Sequence, residues 1–304
     1  METSSKDNAL PNVTFRLLAP GDEAKLESFL SCYLESSMIM LSNLRQAGLA
    51  YTGKTYQGEY MAAIDNDTDQ VVAVLVHYWN GIMTMQAPDL IILHPLALQL
   101  QKSISRPITG IMGDSDQVAT VIQVYALQNA EYNCDKLAER YSLKLKDLKF
   151  PILHQLVSYE MVDVQKISYD TLASWLKAYE IESLGAEDNE AFNTHIATRT
   201  HEILQSNACW ALLVDGIPVA LSGFSARLPQ TVQVGPVWTP PAHRNKGYAR
   251  LLLALTLQQA KTCGVELATL VTDTPAAIRV YQSLGFEKIG LHRLAILRKS
   301  IFIS

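Results

Sequence analysis

Hydrophobic and polar positions alternate in blocks that predict strands and helices in a fixed order along the first 90 residues. Apolar residues at every second position predict strands, and apolar residues at spacings of three and four predict helices. The pairs Asn66-Asp67 and Asn80-Gly81 predict tight turns between antiparallel strands. The pattern predicts a strand at 15–18, helices after Asp22 and over 38–47, and an antiparallel meander over 56–86.

The pattern is less regular between Pro88 and Pro151. The most apolar run, 90–100, is too short to cross a bilayer and contains His94 and Pro95. We predict a strand at 108–112, a glycine-rich turn at 110–113, and a helix capped by Asp114 or Ser115. A further helix is predicted at 131–141, and the charged stretch 144–149 before Pro151 is a candidate linker.

The second half repeats the opening order more clearly. Turn signals at Asp215-Gly216, a stop at Pro240-Pro241 and a helix end at Gly264 separate its elements. Predicted strands are 156–164, 208–214, 219–227, 231–238, 267–272 and 286–297, with helices at 168–179, 187–205, 247–263 and 275–284. The repeated order leaves open whether the halves are a diverged duplication. A length of 304 residues favours two domains, which we place at 1–150 and 151–304.

Composition narrows the possible partners. The net charge is −5 and like charges form no blocks, which disfavours nucleic acid and anionic membranes as partners. The four cysteines form no CxxC pair or Cys/His metal spacing, so we expect free, mostly buried thiols, no metal and a reducing compartment. The start of the sequence is polar and has no apolar stretch of the kind expected in a signal peptide. These features together predict a cytoplasmic protein.

The segment from Val234 to Ala249 carries the candidate chemistry. A predicted strand ends, a short loop turns, and a helix begins near Gly247. Successive backbone N–H groups in such a loop, at the positive end of a helix, form a concave anion site. Arg244 and Lys246 add positive charge. The segment therefore predicts a pyrophosphate site, although R-x-x-G-x-A alone is a weak pattern that also fits an ordinary helix start.

This segment resembles the acetyl-CoA-binding motif of the GCN5-related N-acetyltransferase (GNAT) superfamily. About thirty residues later, 273–286 resembles the second hallmark of that superfamily: an alanine/proline helix start, a tyrosine, and Leu-Gly-Phe. The resemblance covers about 156–297. It implies an α/β (α+β) fold with a mixed, mostly antiparallel sheet flanked by helices. It also implies acetyl-CoA as donor, an amine of a small molecule, amino acid or peptide as acceptor, and a possible homodimer.

The resemblance assigns roles to individual residues. Backbone N–H groups of Val237 and Thr239 would bind the pantetheine arm and polarise the thioester carbonyl. The loop from Arg244 to Ala249 would hold the pyrophosphate, and Tyr281 would donate a proton to the departing thiolate. The predicted cofactor-binding set is Val237, Trp238, Thr239, Arg244, Asn245, Lys246, Gly247, Tyr248, Ala249, Thr274 and Ala277. The first half resembles the degenerate lobe of two-lobed members, expected to shape the acceptor cleft or an interface.

Two departures from the superfamily pattern leave the mechanism open. Thr274 stands where many relatives have asparagine, and the strand 231–238 has Gln233 but no carboxylate to act as a base. Candidate bases on the preceding helices are more typical of solvated surface residues: Glu180, Glu182, His195 and His201. Side chains expected to pack inward, with the aromatics also able to line a cleft, are Cys209, Cys263, Tyr78, Trp79 and Trp175.

Alternative functions follow from these departures. One is a non-catalytic sensor of acyl-CoA or a protein that scaffolds a partner. The other is an acyltransferase that uses a longer acyl donor, or a thiol or hydroxyl acceptor.

Overall fold

A computed structural model describes residues 12–151 and 158–303. Contacts divide the chain into two units. Unit 1 comprises the described residues up to Leu137 together with those from His292, and unit 2 is Ala138–Leu291. These limits differ from the predicted division at 150/151, because the C-terminal segment from His292 onward belongs to unit 1. The separate functional roles of the two halves stay a prediction.

Unit 1 contains six neighbouring strands with helices packed on them. The strand order is β1-β2-β3-β4-β5-β12, in which β4 and β5 are parallel and the other pairs are antiparallel. Its elements are β1 (Val13–Leu17), α1 (Glu23–Ser31), α2 (Leu34–Ala47), β2 (Gly58–Asp65), β3 (Val71–Tyr78), β4 (Ile82–Gln86), α3 (Leu90–Ser103), β5 (Ile108–Asp114), α4 (Ser115–Val124) and the end of β12 (Glu287–Ile301).

Helix α3 was not predicted. The side chain of Asp89 caps it by accepting from the Ile91 N–H, and Leu93, Leu96 and Leu100 are fully buried at helical spacing. Two features of the sequence make helix α3 hard to predict. Exposed apolar residues such as Ile91 blur the helical spacing of the buried ones, and Pro95, a residue that disfavours helix interiors, lies inside the helix.

The six neighbouring strands of unit 2 follow the order β6-β11-β10-β9-β8-β7. Only β10 and β11 are parallel. The elements are β6 (Tyr132–Lys144), β7 (Tyr159–Asp163), α5 (Tyr169–Leu184), α6 (Glu190–Ser206), β8 (Cys209–Val214), β9 (Ile217–Arg227), β10 (Thr231–Trp238), α7 (Tyr248–Thr262), β11 (Leu267–Thr272) and α8 (Pro275–Leu284). The mixed, mostly antiparallel α/β architecture is confirmed.

The two units share one order of elements and exchange their last strands. Each runs strand, two helices, three antiparallel strands, helix, strand, helix. The strand that follows α4, β6, pairs with β11 of unit 2 over Glu139–Lys144. The strand that follows α8, β12, pairs with β5 of unit 1 through His292–Ile296. Unit 1 is therefore completed by the C-terminal strand.

The helix predicted at 131–141 is wrong, because this segment is strand β6. Residues 131–140 contain helix-favouring residues such as Leu137, Ala138 and Glu139. However, residues from Glu139 to Lys144 each face a partner in β11, and residues 140–143 are all buried, as is typical of a strand covered on both faces. Cross-strand pairing thus overrides a modest local preference.

Two other local predictions are corrected. The candidate linker 144–149 is packed against unit 2: Leu145 is fully buried, its N–H donates to the Glu266 carbonyl (2.7 Å), and the Lys149 N–H donates to the Leu284 carbonyl (3.0 Å). The glycine-rich segment 110–113 lies within β5 and is not a turn. A side chain at Gly110 would meet the Ala295 carbonyl of β12 at 2.8 Å. The start of the strand predicted at 156–164 lies outside the described residues.

Candidate active site

A cleft of about 690 Å³ lies at the end of β10 in unit 2. Strands β10 and β11 pair over only three residues, from Thr231–Gln233 with Leu267–Thr269. Beyond that point β10 continues along β9, with register shifts on both sides of Val234. The parallel strands therefore part, and the end of β10, at Val237 and Trp238, borders the cleft.

The loop before α7 forms the second wall. Asn245 (φ 62°) and Gly247 (φ 80°) both adopt left-handed backbone conformations. Such a turn points successive N–H groups to one side. Gly247 is the N-cap of α7, where no side chain caps the helix, so the first N–H groups of α7 remain available to an anion.

The charge of the cleft is mainly positive. Lys246, Arg250 and Arg279 line it together with Arg244, whereas its acidic lining residue is Glu182. Within the described part of the protein, three buried polar atoms of the wall have no hydrogen-bond partner: Trp238 Nε1, Thr239 Oγ1 and Arg250 Nε. Unpaired buried donors and acceptors are costly, so these atoms suit a ligand that brings partners to them.

Tyr281 lies on α8 at the third wall. Only 8% of the residue is exposed, and its ring lies 5.7 Å from that of Phe286, edge to face. Burial raises the pKa of the Tyr281 phenol above its usual value, and the nearby Tyr179 phenol of α5 raises it further. The phenol is therefore protonated throughout the neutral range.

All twelve residues that the sequence predicted line this one cleft. They come from β10, the following loop and α7, and α8, which the chain brings together from about 45 residues of sequence (Val237 to Tyr281). Their individual roles stay predictions. The lining residues that were not predicted are Glu182, Ser183, His243, Arg250, Ala276, Arg279, Val280 and Ser283. Arg250 and Arg279 lie beside predicted residues, whereas nothing in the local sequence links α5 to the cleft.

The Arg244 guanidinium contacts protein groups on three sides. Its Nε donates to the Thr239 carbonyl (3.0 Å), and a terminal nitrogen donates to Glu182 Oε2 (2.8 Å). The group also lies over the Trp238 ring, 4.8 Å from the centroid.

Glu180 is not a solvated surface residue, which corrects the sequence interpretation. It is 5% exposed, and its carboxylate forms ion pairs with His195 Nε2 (3.2 Å) and Arg199 Nε (2.8 Å). The hydrogen bond that His195 donates to the Glu180 carboxylate raises the pKa of His195. Glu182 and His201 are exposed, in agreement with the interpretation.

The other singled-out side chains lie away from the cleft lining. Tyr78 and Trp175 are buried in their cores, and Trp79 packs against Tyr56 at 5.3 Å between centroids. Cys209 is buried as predicted, whereas Cys263, which ends α7, is exposed, contrary to the prediction. Among the described residues, no group of three or more His, Cys, Asp or Glu is arranged to hold a metal ion. None of the helices described is both long and apolar enough for a bilayer crossing.

Comparison with known proteins agrees with this geometry. Residues 169–286 match the model of the acetyltransferase (GNAT) family. A comparison with curated protein sequences gave no match.

Solved structures share the fold over nearly the whole chain. A tandem GNAT protein from the clavulanic acid biosynthesis pathway, solved without AcCoA, has a TM-score of 0.54 at 15% identity, over 93% of this chain and 97% of its own. A GCN5-related N-acetyltransferase from Sphaerobacter thermophilus has a TM-score of 0.57 at 13% identity, over 96% and 97%. One from Kribbella flavida has a TM-score of 0.51 at 16% identity, over 92% and 97%.

The chain therefore has two units and a fold similar to that of GNAT proteins. Within this chain, residues 169–286 form a domain of the acetyltransferase (GNAT) family.

Proposed function

We propose that this protein is an N-acetyltransferase that moves an acetyl group from acetyl-CoA to the amine of a small molecule, amino acid or peptide. One observation carries the proposal: a single cleft of about 690 Å³ combines a strand end, a cationic loop at an uncapped helix N-terminus and a buried phenol. These three features suit the pantetheine arm, the pyrophosphate and the thiol of the donor.

The donor substrate supplies an activated acyl group. Attack of a neutral amine on the thioester carbonyl forms an amide, and the CoA thiolate that leaves takes up one proton. In this proposal the backbone N–H groups of Val237 and Thr239 stabilise the developing oxyanion, at about 3 kcal/mol per donor. The loop from Arg244 to Ala249 binds the pyrophosphate through its N–H groups and Lys246, and Thr274 and Ala277 line the arm.

Tyr281 stabilises the departing thiolate by donating a hydrogen bond. A thiol has an ordinary pKa of about 8.5, and burial raises the pKa of Tyr281 above the usual phenol value. Complete proton transfer from phenol to thiolate is thus uphill, whereas a hydrogen bond to the thiolate is favourable. The final proton comes from the acceptor amine through solvent.

We assign no side chain as general base. The Glu182 carboxylate, which lines the cleft, is held in an ion pair with Arg244, and the Glu180 carboxylate is held in ion pairs with His195 and Arg199. We therefore propose that the amine loses its proton to water, and that positioning of the reactants supplies much of the rate enhancement. A cytoplasmic location and a homodimer also remain predictions.

Calorimetric titration with acetyl-CoA, followed by thiol release against a panel of amines and amino acids, tests the proposal. Micromolar binding with amine-dependent thiol release supports the transferase. Binding without release would favour the sensor, or a longer acyl donor, which titration with longer acyl-CoAs separates. Absence of binding would refute acyl-CoA as the ligand of the cleft.

A further inference from the structure

The Arg244 side chain closes the loop that it belongs to. Its Nε donates to the carbonyl of Thr239 (3.0 Å), five residues earlier, so the guanidinium spans the turn made by Pro240 to His243. Within that turn, the His243 N–H donates to the Pro240 carbonyl (2.8 Å). The side chain is therefore fixed to the backbone of the loop that leads into the anion site.

The same guanidinium fastens the loop to helix α5. Glu182 of α5 accepts from a terminal nitrogen of Arg244 at 2.8 Å, and Tyr179, one turn earlier on α5, packs edge-on against Trp238 at 6.4 Å. The Trp238 ring in turn lies under the guanidinium at 4.8 Å. Arg244, Trp238 and α5 thus form one connected assembly at the end of β10.

This assembly includes the backbone groups that the proposed reaction uses. Thr239, whose carbonyl accepts from Arg244, carries one of the two N–H groups assigned to the oxyanion. The residues after Arg244 carry the N–H groups assigned to the pyrophosphate. A planar guanidinium can stack and donate along two directions at once, which an ammonium cannot. Holding the loop in its binding geometry lowers the entropic cost of binding.

We propose that Arg244 and Glu182 are positioning residues: Arg244 fixes the cofactor loop and the end of β10, and Glu182 orients the guanidinium of Arg244. The inference rests on the proposed function. The backbone N–H groups and Lys246 then bind the phosphates, whereas the Arg244 side chain binds only protein groups and holds the loop in place.

The test compares acetyl-CoA with acetyl-pantetheine, which carries the same thioester without the phosphates. The variants are Arg244→Lys, Arg244→Met, Glu182→Gln and the double variant Arg244→Met/Glu182→Gln. Glu187→Gln is the matched control, because it removes one negative charge from an exposed position of unit 2 outside the cleft lining. Thiol release gives kcat and KM for each donor, and calorimetry gives the affinity for acetyl-CoA.

Positioning of the end of β10 predicts that Arg244→Lys and Arg244→Met each lower kcat/KM about ten-fold or more for acetyl-pantetheine as well as for acetyl-CoA. Glu182→Gln lowers it about two- to five-fold, as fits an exposed ion pair. Since both residues act through one contact, the double variant is no worse than Arg244→Met alone. Glu187→Gln behaves as the wild type.

Direct binding of phosphate by Arg244 would give the opposite pattern. The loss in Arg244→Met would then be confined to acetyl-CoA, Arg244→Lys would recover activity, and Glu182→Gln would tighten acetyl-CoA binding. That pattern overturns the inference and leaves the transferase intact. Glu182→Gln distinguishes the two roles of Arg244 even if the Arg244 variants fold poorly, because Glu182 is exposed and its replacement leaves the fold intact. A wild type without binding or thiol release would refute the proposed function itself.

Discussion

The Trp238 ring contacts two residues from outside its own strand. The guanidinium of Arg244 lies over its ring, and the ring of Tyr179 meets it edge-on. Its indole Nε1 is buried without a hydrogen-bond partner in the described part of the chain. The residue therefore links the strand end, the loop and α5, and it keeps one donor free for a ligand.

Replacing Tyr281 with Phe separates catalysis from binding. The change removes the hydroxyl and keeps the ring that packs on Phe286, so the fold and the affinity for acetyl-CoA are expected to persist. Turnover should fall about ten-fold or more, because a hydrogen bond to a charged group, worth about 1.5–3 kcal/mol, is lost from the departing thiolate. Steady-state thiol release and calorimetry on the same preparation measure both effects. Unchanged turnover would contradict the role of Tyr281.

The pH dependence of that loss is also predicted. Because burial raises the pKa of Tyr281, the phenol does not ionise between pH 8 and pH 10. The ratio of wild-type to Tyr281→Phe turnover is therefore constant over this range. A ratio that falls toward one as the pH rises would mean that the phenol titrates there, contrary to its burial.

His77 makes the stability of unit 1 sensitive to acid. Its side chain is fully buried, and burial together with the positive charge of Arg106 lowers its pKa to about 4. Its Nε2 lies 3.2 Å from the Pro107 carbonyl, and Glu59 lies 3.9 Å from its Nδ1. The unfolded chain binds a proton near pH 6.5 and the folded one does not, so stability is lost as the pH falls below about 6.5.

From pH 7 to pH 5 this linkage amounts to about 2 kcal/mol of unfolding free energy. Urea unfolding at the two pH values measures it. His77→Gln, which keeps a donor toward Pro107, should lose most of the pH-dependent part, whereas His94→Gln, at an exposed position of the same unit, should retain it. Equal pH dependence in wild type and His77→Gln would refute the assignment.

At the level of elements, the sequence correctly predicted the helices and strands whose hydrophobic periodicity agrees with the turn or capping residues at their ends. Helix α7 has an apolar stripe between Gly247 and Gly264, and strands β8 and β9 have a clear turn pair between them. The failures occur where distant contacts decide. Strand β6 is formed by its pairing with β11, about 130 residues later in the chain, and α3 is apolar on more than the face that it buries.

The candidate site could be predicted to a similar extent. The two motifs lie in one continuous segment from β10 to α8. Sequence comparison with the superfamily pattern was therefore enough to assign Val237, Gly247 and Tyr281 to one site. The contribution of α5 could not be predicted, because Glu182 meets Arg244 across 62 residues. Burial of Glu180 was missed for the same reason, since its ion partners lie on α6.

Two glycines at opposite ends of α7 allow the effect of a substitution on binding to be separated from its effect on stability. Gly247 (φ 80°) and Gly264 (φ 90°) both have left-handed backbones, and an added Cβ would meet nothing within 4 Å at either. Each Gly→Ala change should therefore cost about 1–2 kcal/mol of stability through the backbone alone. Only Gly247→Ala should weaken acetyl-CoA binding, by ten-fold or more, because only Gly247 shapes the anion site.

Calorimetry and thermal unfolding of the two variants check this expectation. Equal stability losses with a selective binding defect would support the loop as the pyrophosphate site. A binding defect of the same size in Gly264→Ala would show that the loss reflects general destabilisation.

At the scale of the whole molecule, the two units differ at the positions where a cofactor would enter. In unit 2 the N-terminus of α7 is uncapped. In unit 1 the equivalent helix, α3, is capped by the carboxylate of Asp89, and Gln117 Oε1 already accepts from the Ala87 N–H (2.9 Å). A carboxylate at this position both occupies a donor and repels phosphate.

We therefore expect each chain to bind one acetyl-CoA. Calorimetry on the full-length protein should give a stoichiometry of one site per chain, and Gly247→Ala should weaken that single site. A second site that persists in Gly247→Ala would mean that unit 1 also binds the cofactor, contrary to the capped α3.

The exchanged C-terminal strand affects how the protein is made. Strand β5 pairs with β12 at His292 and Asp114, which are 178 residues apart (292 − 114). At about 5–20 residues per second, a ribosome needs roughly 10–35 s to synthesise the intervening chain. During that time the edge of β5 has no native partner, and an unpaired strand edge invites association with other chains. Slower elongation after residue 114 would prolong this exposure, so the yield of native protein should depend on the speed of translation.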